Sequence, residues 1–370
     1  MKLPSMTRRS LLKAASGAFA LANFPTAVLA QQQPERKNFD PLPSDWRTFE
    51  VTTKIDLQKA GASTVWIPLP SVQTDWQRSM PSKWTGNAKS MRAETDKHFG
   101  AQYLVAEFDG SAAPALEVTS VVKTRNRSHE LTKAAGAKAS QAELHRWLQP
   151  TDLMPLDGIV RVTAKQVVEG ARTDEEKVQR IYDWIIVSTY REPKVRGCGT
   201  GDVKAMLETG NLSGKCADLN GLFVALCRAA GVPARDAYGI RLAKSEFGYK
   251  ELGGKPESLK GAQHCRSEVY LRKHGWVAMD PADVCKVMRQ ETADWIKDPD
   301  HPLVAPVRKS LFGGWEGNWM AYNFAHDVKL AGFPSNKVGF LMYPQAQSNG
   351  EVVDCLDADS FKYTITSREI

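Results

Sequence analysis

Residues 214–235 read Gly214-Lys215-Cys216-Ala217-Asp218-Leu219-Asn220-Gly221-Leu222-Phe223-Val224-Ala225-Leu226-Cys227-Arg228-Ala229-Ala230-Gly231-Val232-Pro233-Ala234-Arg235. Leu219, Leu222, Phe223, Leu226 and Ala230 recur at three- and four-residue spacing, the period of a buried helix. Gly231 suits a left-handed terminator and Pro233 forbids continuation, so the helix ends there and begins close to Cys216. A thiol at that end faces unpaired backbone N–H groups and the positive end of the helix dipole. Both favour the thiolate, and the same N–H groups can stabilise an oxyanion. Asp218, in the first turn with Asn220, reads as serving the dipole. Cys227, near the far end on the apolar side, reads as a small buried hydrophobe.

A working thiolate needs a base, and the base needs an orienting partner. Residues 263–271 (Gln-His-Cys-Arg-Ser-Glu-Val-Tyr-Leu) and 276–280 (Trp-Val-Ala-Met-Asp) read as the two arms of a β-hairpin. Gly275 would close a three-residue loop, 273–275. That loop sets Arg272 opposite Trp276 and Glu268 opposite Asp280. Side chains alternate along a strand, so His264, Arg266, Glu268 and Asp280 share one face. A two-residue loop would throw Asp280 to the other face; the grouping depends on an odd loop count.

These residues resemble a known family. Gly-x-Cys opening a helix that closes in Arg-Ala-Ala-Gly-Val-Pro-Ala-Arg is similar to the core motif of transglutaminase-like proteins, a superfamily with papain-like chemistry. So is a His at a strand start followed by the Asp of Gly-Trp-Val-x-x-Asp-Pro. The resemblance spans roughly residues 170 to 290, about one domain's length. It implies an α+β fold: a helix bundle packed on an antiparallel sheet, preceded by a small all-β, sandwich-like domain. It implies Cys216 as nucleophile, His264 as general acid/base and Asp280 as the group orienting the imidazole. Tyr190, just after the preceding helix, is the candidate second oxyanion donor. Where the family often has a small residue and then Trp after the histidine, this chain has Cys265-Arg266, a second thiol and a charge beside the base.

The flanking sequence sets the context. Residues 1–30 carry Arg8-Arg9, an apolar run from Ala14 to Leu29 and a small-residue site ending at Ala30, the layout of a cleaved, twin-arginine-type leader. The run is too short and too rich in Ala, Ser and Gly for a stable span. The expected location is therefore periplasmic or secreted. The chain is +7 over 370 residues, but Lys2, Arg8, Arg9 and Lys13 lie in the leader, which has no acid. That leaves 45 basic against 42 acidic residues, a net charge near +3, so basicity does not argue for nucleic acid. Residues 31–45 read as a Pro-rich linker. Residues 46–128 read as the β domain: Val51, Thr53, Ile55 and Leu57 alternate, and 64–67, 102–108 and 116–122 repeat the strand pattern. The stretch around Trp76, Trp84 and His98 reads as an irregular connection packed on the sheet. Residues 140–290 form the expected catalytic core, with a capping box at Thr173 and Glu176. In the extension 291–370, the strand-like runs 319–324, 338–343 and 361–366 are expected to complete the core sheet. Trp295, Trp315 and Trp319 are further candidates for the cleft wall. His274 at the hairpin tip reads as solvated and His326 as structural.

The expected activity is attack on an amide or peptide carbonyl through a thioester, with hydrolysis favoured over acyl transfer to an amine. The alternative is a non-catalytic binding module of the same fold. The expected partner is a peptide, protein or small amide substrate. No cofactor or metal is expected: CxxC, Cys/His metal spacing and EF-hand-like acidic loops are all missing. The pairing of Cys198, Cys265, Cys285 and Cys355 stays open.

Overall fold

In the strand Arg47–Asp56, Phe49, Val51, Thr53 and Ile55 are buried and alternate with less buried neighbours. It pairs with Ala115–Thr124 on one side and Lys362–Glu369 on the other. The computed structural model describes residues 38–57, 61–129, 131, 138–335 and 337–370. The expected leader, the first part of the linker and most of the 131–139 patch lie outside the described residues.

Two antiparallel sheets make the β region. The first runs Lys362–Glu369, Arg47–Asp56, Ala115–Thr124, Gln77–Ser79, with Lys83–Gly86 also paired to Ala115–Thr124. The second runs Glu351–Val353, Gln345–Ser348, Ala62–Leu69, Gln102–Asp109, Ser90–Thr95. Phe49, Val51 and Val118 of the first sheet and Val65, Ile67 and Leu104 of the second fall in one apolar cluster. The stretch expected to be irregular supplies three short strands, and its Trp76 is buried against Trp315 and Trp319, at 5.2 and 6.0 Å between ring centres.

A six-stranded sheet forms the rest of the frame, in the order Trp319–Asn323, Ala234–Arg241, Gln263–Leu271, Gly275–Met279, Phe312–Trp315, Arg127–Ser128. The helix Cys216–Ala229 packs on Ala234–Arg241 and Gln263–Leu271 and is enclosed by the helices Gly158–Val167, Asp174–Ser188 and Pro281–Gln290. Its residues from Cys216 to Arg228 are all buried. It ends in a Schellman motif: Val232 N donates to Cys227 O and Gly231 N to Arg228 O, both at 2.9 Å. At the head of Asp174–Ser188, Thr173 accepts from Glu176 N, while the Glu176 carboxylate reaches the N–H of Arg172, one residue before the cap.

The C-terminal extension departs from its expected role. Phe312–Trp315 and Trp319–Asn323 do join the core sheet. Val338–Phe340 pairs instead with His326–Val328, and Gln345–Ser348 and Lys362–Glu369 complete the two sheets of the β region. Strand pattern alone does not choose a partner; the open edges of Arg47–Asp56 and Ala62–Leu69 did.

The hairpin register also differs. Leu271 faces Gly275, so the loop is 272–274, and Glu268 faces Ala278 rather than Asp280. Gly275 has φ +72°, a conformation that glycine adopts without strain. The loop count remains odd, so the parity argument survives, and continuing the register by one residue puts Asp280 opposite Arg266. His274, expected in solvent, is buried: as the last loop residue it folds back, its N–H donating to Leu271 O at 2.9 Å.

Glu268 carries the junction between the β region and the core. Fully buried, it accepts from Arg127 Nη1 on one oxygen and from Arg235 Nε, at 2.6 Å, on the other. Glu268→Ala takes the anion from buried Arg127 and leaves buried Arg235 only Glu143, at 3.6 Å. It should destabilise the protein by about 3–5 kcal/mol, read as a lowered urea midpoint; an unchanged midpoint would refute this.

Candidate active site

Cys216 is the first residue of its helix, with Lys215 as N-cap in extended conformation. Asp218 does more than serve the dipole. Its Oδ2 accepts from Lys215 N at 2.8 Å, and its Oδ1 from Thr200 N and Gly201 N at 3.0 and 2.8 Å. It thereby clamps the loop carrying Cys198 onto the helix start. Gly199, at φ +92°, is obligatory there, since a Cβ would lie 1.7 Å from Asp218 Oδ2. Ala217 N completes the clamp by donating to Cys198 O at 2.9 Å.

The result is three thiols in one place. The sulfurs of Cys198, Cys216 and Cys265 lie within 4.8 Å of one another. Cys198 Sγ donates to Gln263 O at 3.2 Å, and Cys216 sits among Cys198, Cys265 and His264. All six cysteines are free. Despite burial, Cys216 titrates well below an ordinary thiol, because the neighbouring Cys198, Cys265 and His264 favour its thiolate, His264 also by charge. Cys265 is pushed well above by burial and by the other two sulfurs.

His264 opens the strand Gln263–Leu271, and its carbonyl accepts from Trp319 Nε1 at 3.0 Å. Its Nε2 is 2.7 Å from Asp280 Oδ2 and 3.3 Å from Asp283 Oδ2. The two carboxylates fix a proton on Nε2. Asp280 is the N-cap of Pro281–Gln290, its Oδ1 accepting from Asp283 N and Asn220 Nδ2 at 3.1 and 3.0 Å. Asn220 therefore links the cysteine helix to the carboxylate; its Nδ2 also reaches Cys265 O at 2.8 Å.

Sequence reasoning missed Asp283 and Arg241. Arg241 Nη2 grips both oxygens of Asp283, at 2.6 and 2.8 Å, and holds that carboxyl well below the usual range despite burial. Burial opposes a charged His264, but Asp283 and Asp280 outweigh it and Arg241, raising the ring to about 9. Arg266 Nε lies 3.6 Å from Asp280 Oδ2, under the indoles of Trp315 and Trp319. Thiolate, two carboxylates, imidazolium and two guanidinium groups sum to zero, which makes the charged pair tolerable in a buried site. The signal for Asp283 was present in Asp280-Pro281-Ala282-Asp283: a capping residue brings the third residue after it back to its own side chain.

The sulfurs, or His264 with Asp280 and Asp283, could geometrically hold a metal. In the second group Arg241, Asn220 and Asp283 N already occupy the carboxylates, and Cys198 in the first spends its proton on Gln263 O.

Tyr190 is 37 % exposed, its ring 5.3 Å from that of Trp295 at the surface. Its strand pairs in parallel with Ser213–Gly214, setting Arg191 beside Gly214. Trp319 and Trp315 lie beneath the histidine strand rather than along an open wall, both 1 % exposed. His326 is buried, with Nδ1 3.2 Å from the Tyr238 hydroxyl.

A cavity of about 300 Å³ reaches Cys198 from the surface, lined also by Gln263, Tyr343 and Tyr363. Arg191, Arg196, Lys215 and Lys260 supply its charged groups, with no carboxylate among the lining residues. A larger cavity of about 630 Å³ lies elsewhere, between residues 94–103 and 327–337, and contains none of the site's residues.

The family model for the transglutaminase-like superfamily matches residues 161–281, a stretch that holds Cys216, His264 and Asp280. A Haemophilus influenzae protein of undescribed function is 33% identical over 351 residues, covering 88% of this chain and 93% of its own. The crystal structure of a protein from Cytophaga hutchinsonii, provisionally described as a cysteine protease, superposes with a TM-score of 0.54 at 14% identity. It covers 89% of this chain and 92% of that one and shows a shared fold. Residues 161–281 of the chain therefore form a transglutaminase-like domain.

Asp283→Asn removes the largest influence that raises His264. The ring should then titrate below about 9, read by NMR from the pH dependence of its carbon-bound protons. An unmoved titration would show that Asp280 alone sets it.

Proposed function

We propose that the protein is an exported thiol hydrolase of amide bonds, with Cys216 as nucleophile, His264 as general acid/base and Asp280 orienting the ring. The observation that carries the reading is one buried cluster: a thiol at the first residue of a helix, its charge favoured by His264, whose Nε2 is held 2.7 Å from Asp280. The Cys216 thiolate attacks the carbonyl carbon, and the oxyanion forms at the positive end of the helix dipole. The C–N bond breaks as His264 passes its proton to the departing amine, leaving a thioester. Neutral His264 then takes a proton from water, the hydroxide adds, and the acid leaves as the thiol is restored. The four cations at the cavity support water over an amine acceptor, since an approaching lysine ammonium meets like charge. Export rests on the leader-like residues 1–30; among the described residues no helix is long and apolar enough to cross a membrane.

The test begins with the reduced full chain and limiting iodoacetamide, the labelled cysteine being mapped by mass spectrometry. Cys216 should react fastest, and its rate should hold nearly level from pH 8 down into the mildly acidic range. His264→Ala should slow that labelling at pH 6 by about tenfold or more, one pKa unit of thiolate being tenfold. Labelling spread evenly over the six cysteines, indifferent to His264, would count against catalysis.

For turnover of an amide the sign follows from the two groups. Activity needs thiolate and imidazolium together, so it rises through the depressed Cys216 value and falls as His264 deprotonates near 9. A kcat profile still rising above pH 10 would exclude imidazolium as the acid. Cys216→Ser should lower kcat by at least about 10³-fold.

A further inference from the structure

We infer that the cavity beside Cys216 selects substrates carrying a carboxylate next to the amide under attack, an inference that rests on the thiol reading above. Composition does not explain the lining. Acids and bases are nearly balanced outside the leader-like residues, 45 against 42, yet the cavity wall has four cations and no acid. Arg196 is already paired, with Asp354 at 2.8 Å. Arg191 bonds only a neutral amide, Gln290 Oε1, at 3.1 Å, and the Lys260 ammonium rests 4.8 Å from the Tyr363 ring. Among the described residues none of Arg191, Lys215 and Lys260 forms an ion pair with a carboxylate.

Their placement ties this charge to the chemistry. Lys215 immediately precedes Cys216, and the parallel pairing of Tyr190–Arg191 with Ser213–Gly214 brings Arg191 alongside it. Burial and the Arg191 charge both make the Lys215 ammonium less favourable than in water. A carboxylate between them would relieve that repulsion, and a fork-shaped guanidinium suits it. The thiolate alone does not account for the set, because Lys260 and Arg191 face the cavity from opposite sides of the sequence motif. About 300 Å³, walled by Tyr343 and Tyr363, accommodates one acidic residue of a peptide. The carboxylate is either an Asp or Glu side chain or a chain terminus.

Two alkylating reagents of similar size read this without a known substrate. Iodoacetate carries a carboxylate and iodoacetamide a neutral amide; in each the thiolate displaces iodide from carbon. The ratio of their rates at Cys216, relative to the same ratio for glutathione, should be raised by about tenfold or more at low salt. It should shrink as salt is added, and fall several-fold in Lys260→Gln and Arg191→Gln while iodoacetamide labelling stays fast. Protection by acetyl-glutamyl amide or by acetyl-alanine, against neutral acetyl-alanine amide, tells a side-chain carboxylate from a terminal one. A ratio equal to that of glutathione, with fast selective iodoacetamide labelling, overturns this inference and leaves the thiol reading standing. Slow, unselective labelling by both reagents removes both.

Discussion

The structure depends on keeping charge inside a buried core. His264 touches two carboxylates, one gripped by Arg241 and the other backed by Arg266, and all of these groups are buried. Burial favours the neutral form of each; Arg241 and His264 overcome it at Asp283, and the two carboxylates overcome it at His264. The neighbouring elements are placed to make that closure possible. Asp280 caps a helix and so brings Asp283 to the ring. Asn220 reaches across from the cysteine helix, and Trp319 fixes the histidine backbone.

A site of this kind needs a frame that does not shift, and the chain supplies it by pairing its last described strands with its first. The last strand pairs with the first along its length, and Gln345–Ser348 pairs with Ala62–Leu69. In return, Arg127–Ser128 forms the outer edge of the core sheet, and Arg127 reaches the fully buried Glu268 on the histidine strand. Trp76 packs edge-on against Trp315 and stacked on Trp319, the two indoles that Arg266 also contacts. The β region is thus packed into the support of the site.

Much of the site could be read from local pattern. The start and stop of the cysteine helix follow from one apolar period and one Gly-x-Pro stop, and the structure places both within a residue. The hairpin shows how far such reasoning reaches. Loop parity placed Asp280 on the face of His264, and parity survived a two-residue error in register. A left-handed φ suits a glycine at a loop end, but Gly275 is the first residue of the returning strand, and His274 becomes the buried last residue of the loop.

The sequence by itself determined the elements and the faces they bury, because helix period, strand alternation and capping are set by residues a few positions apart. It also named Cys216, His264 and Asp280 as groups to be brought together, through a motif spread over about one domain. Only the tertiary structure decided which charges close around them. Arg241 meeting Asp283, Cys198 meeting Cys216, and four cations gathering at one cavity are contacts between segments distant in sequence. The same holds for the C-terminal strands, whose pattern fits any open edge. Partners of this kind are selected by packing and by the cost of leaving a buried charge or a strand edge unmatched, and neither is written in any local stretch of residues.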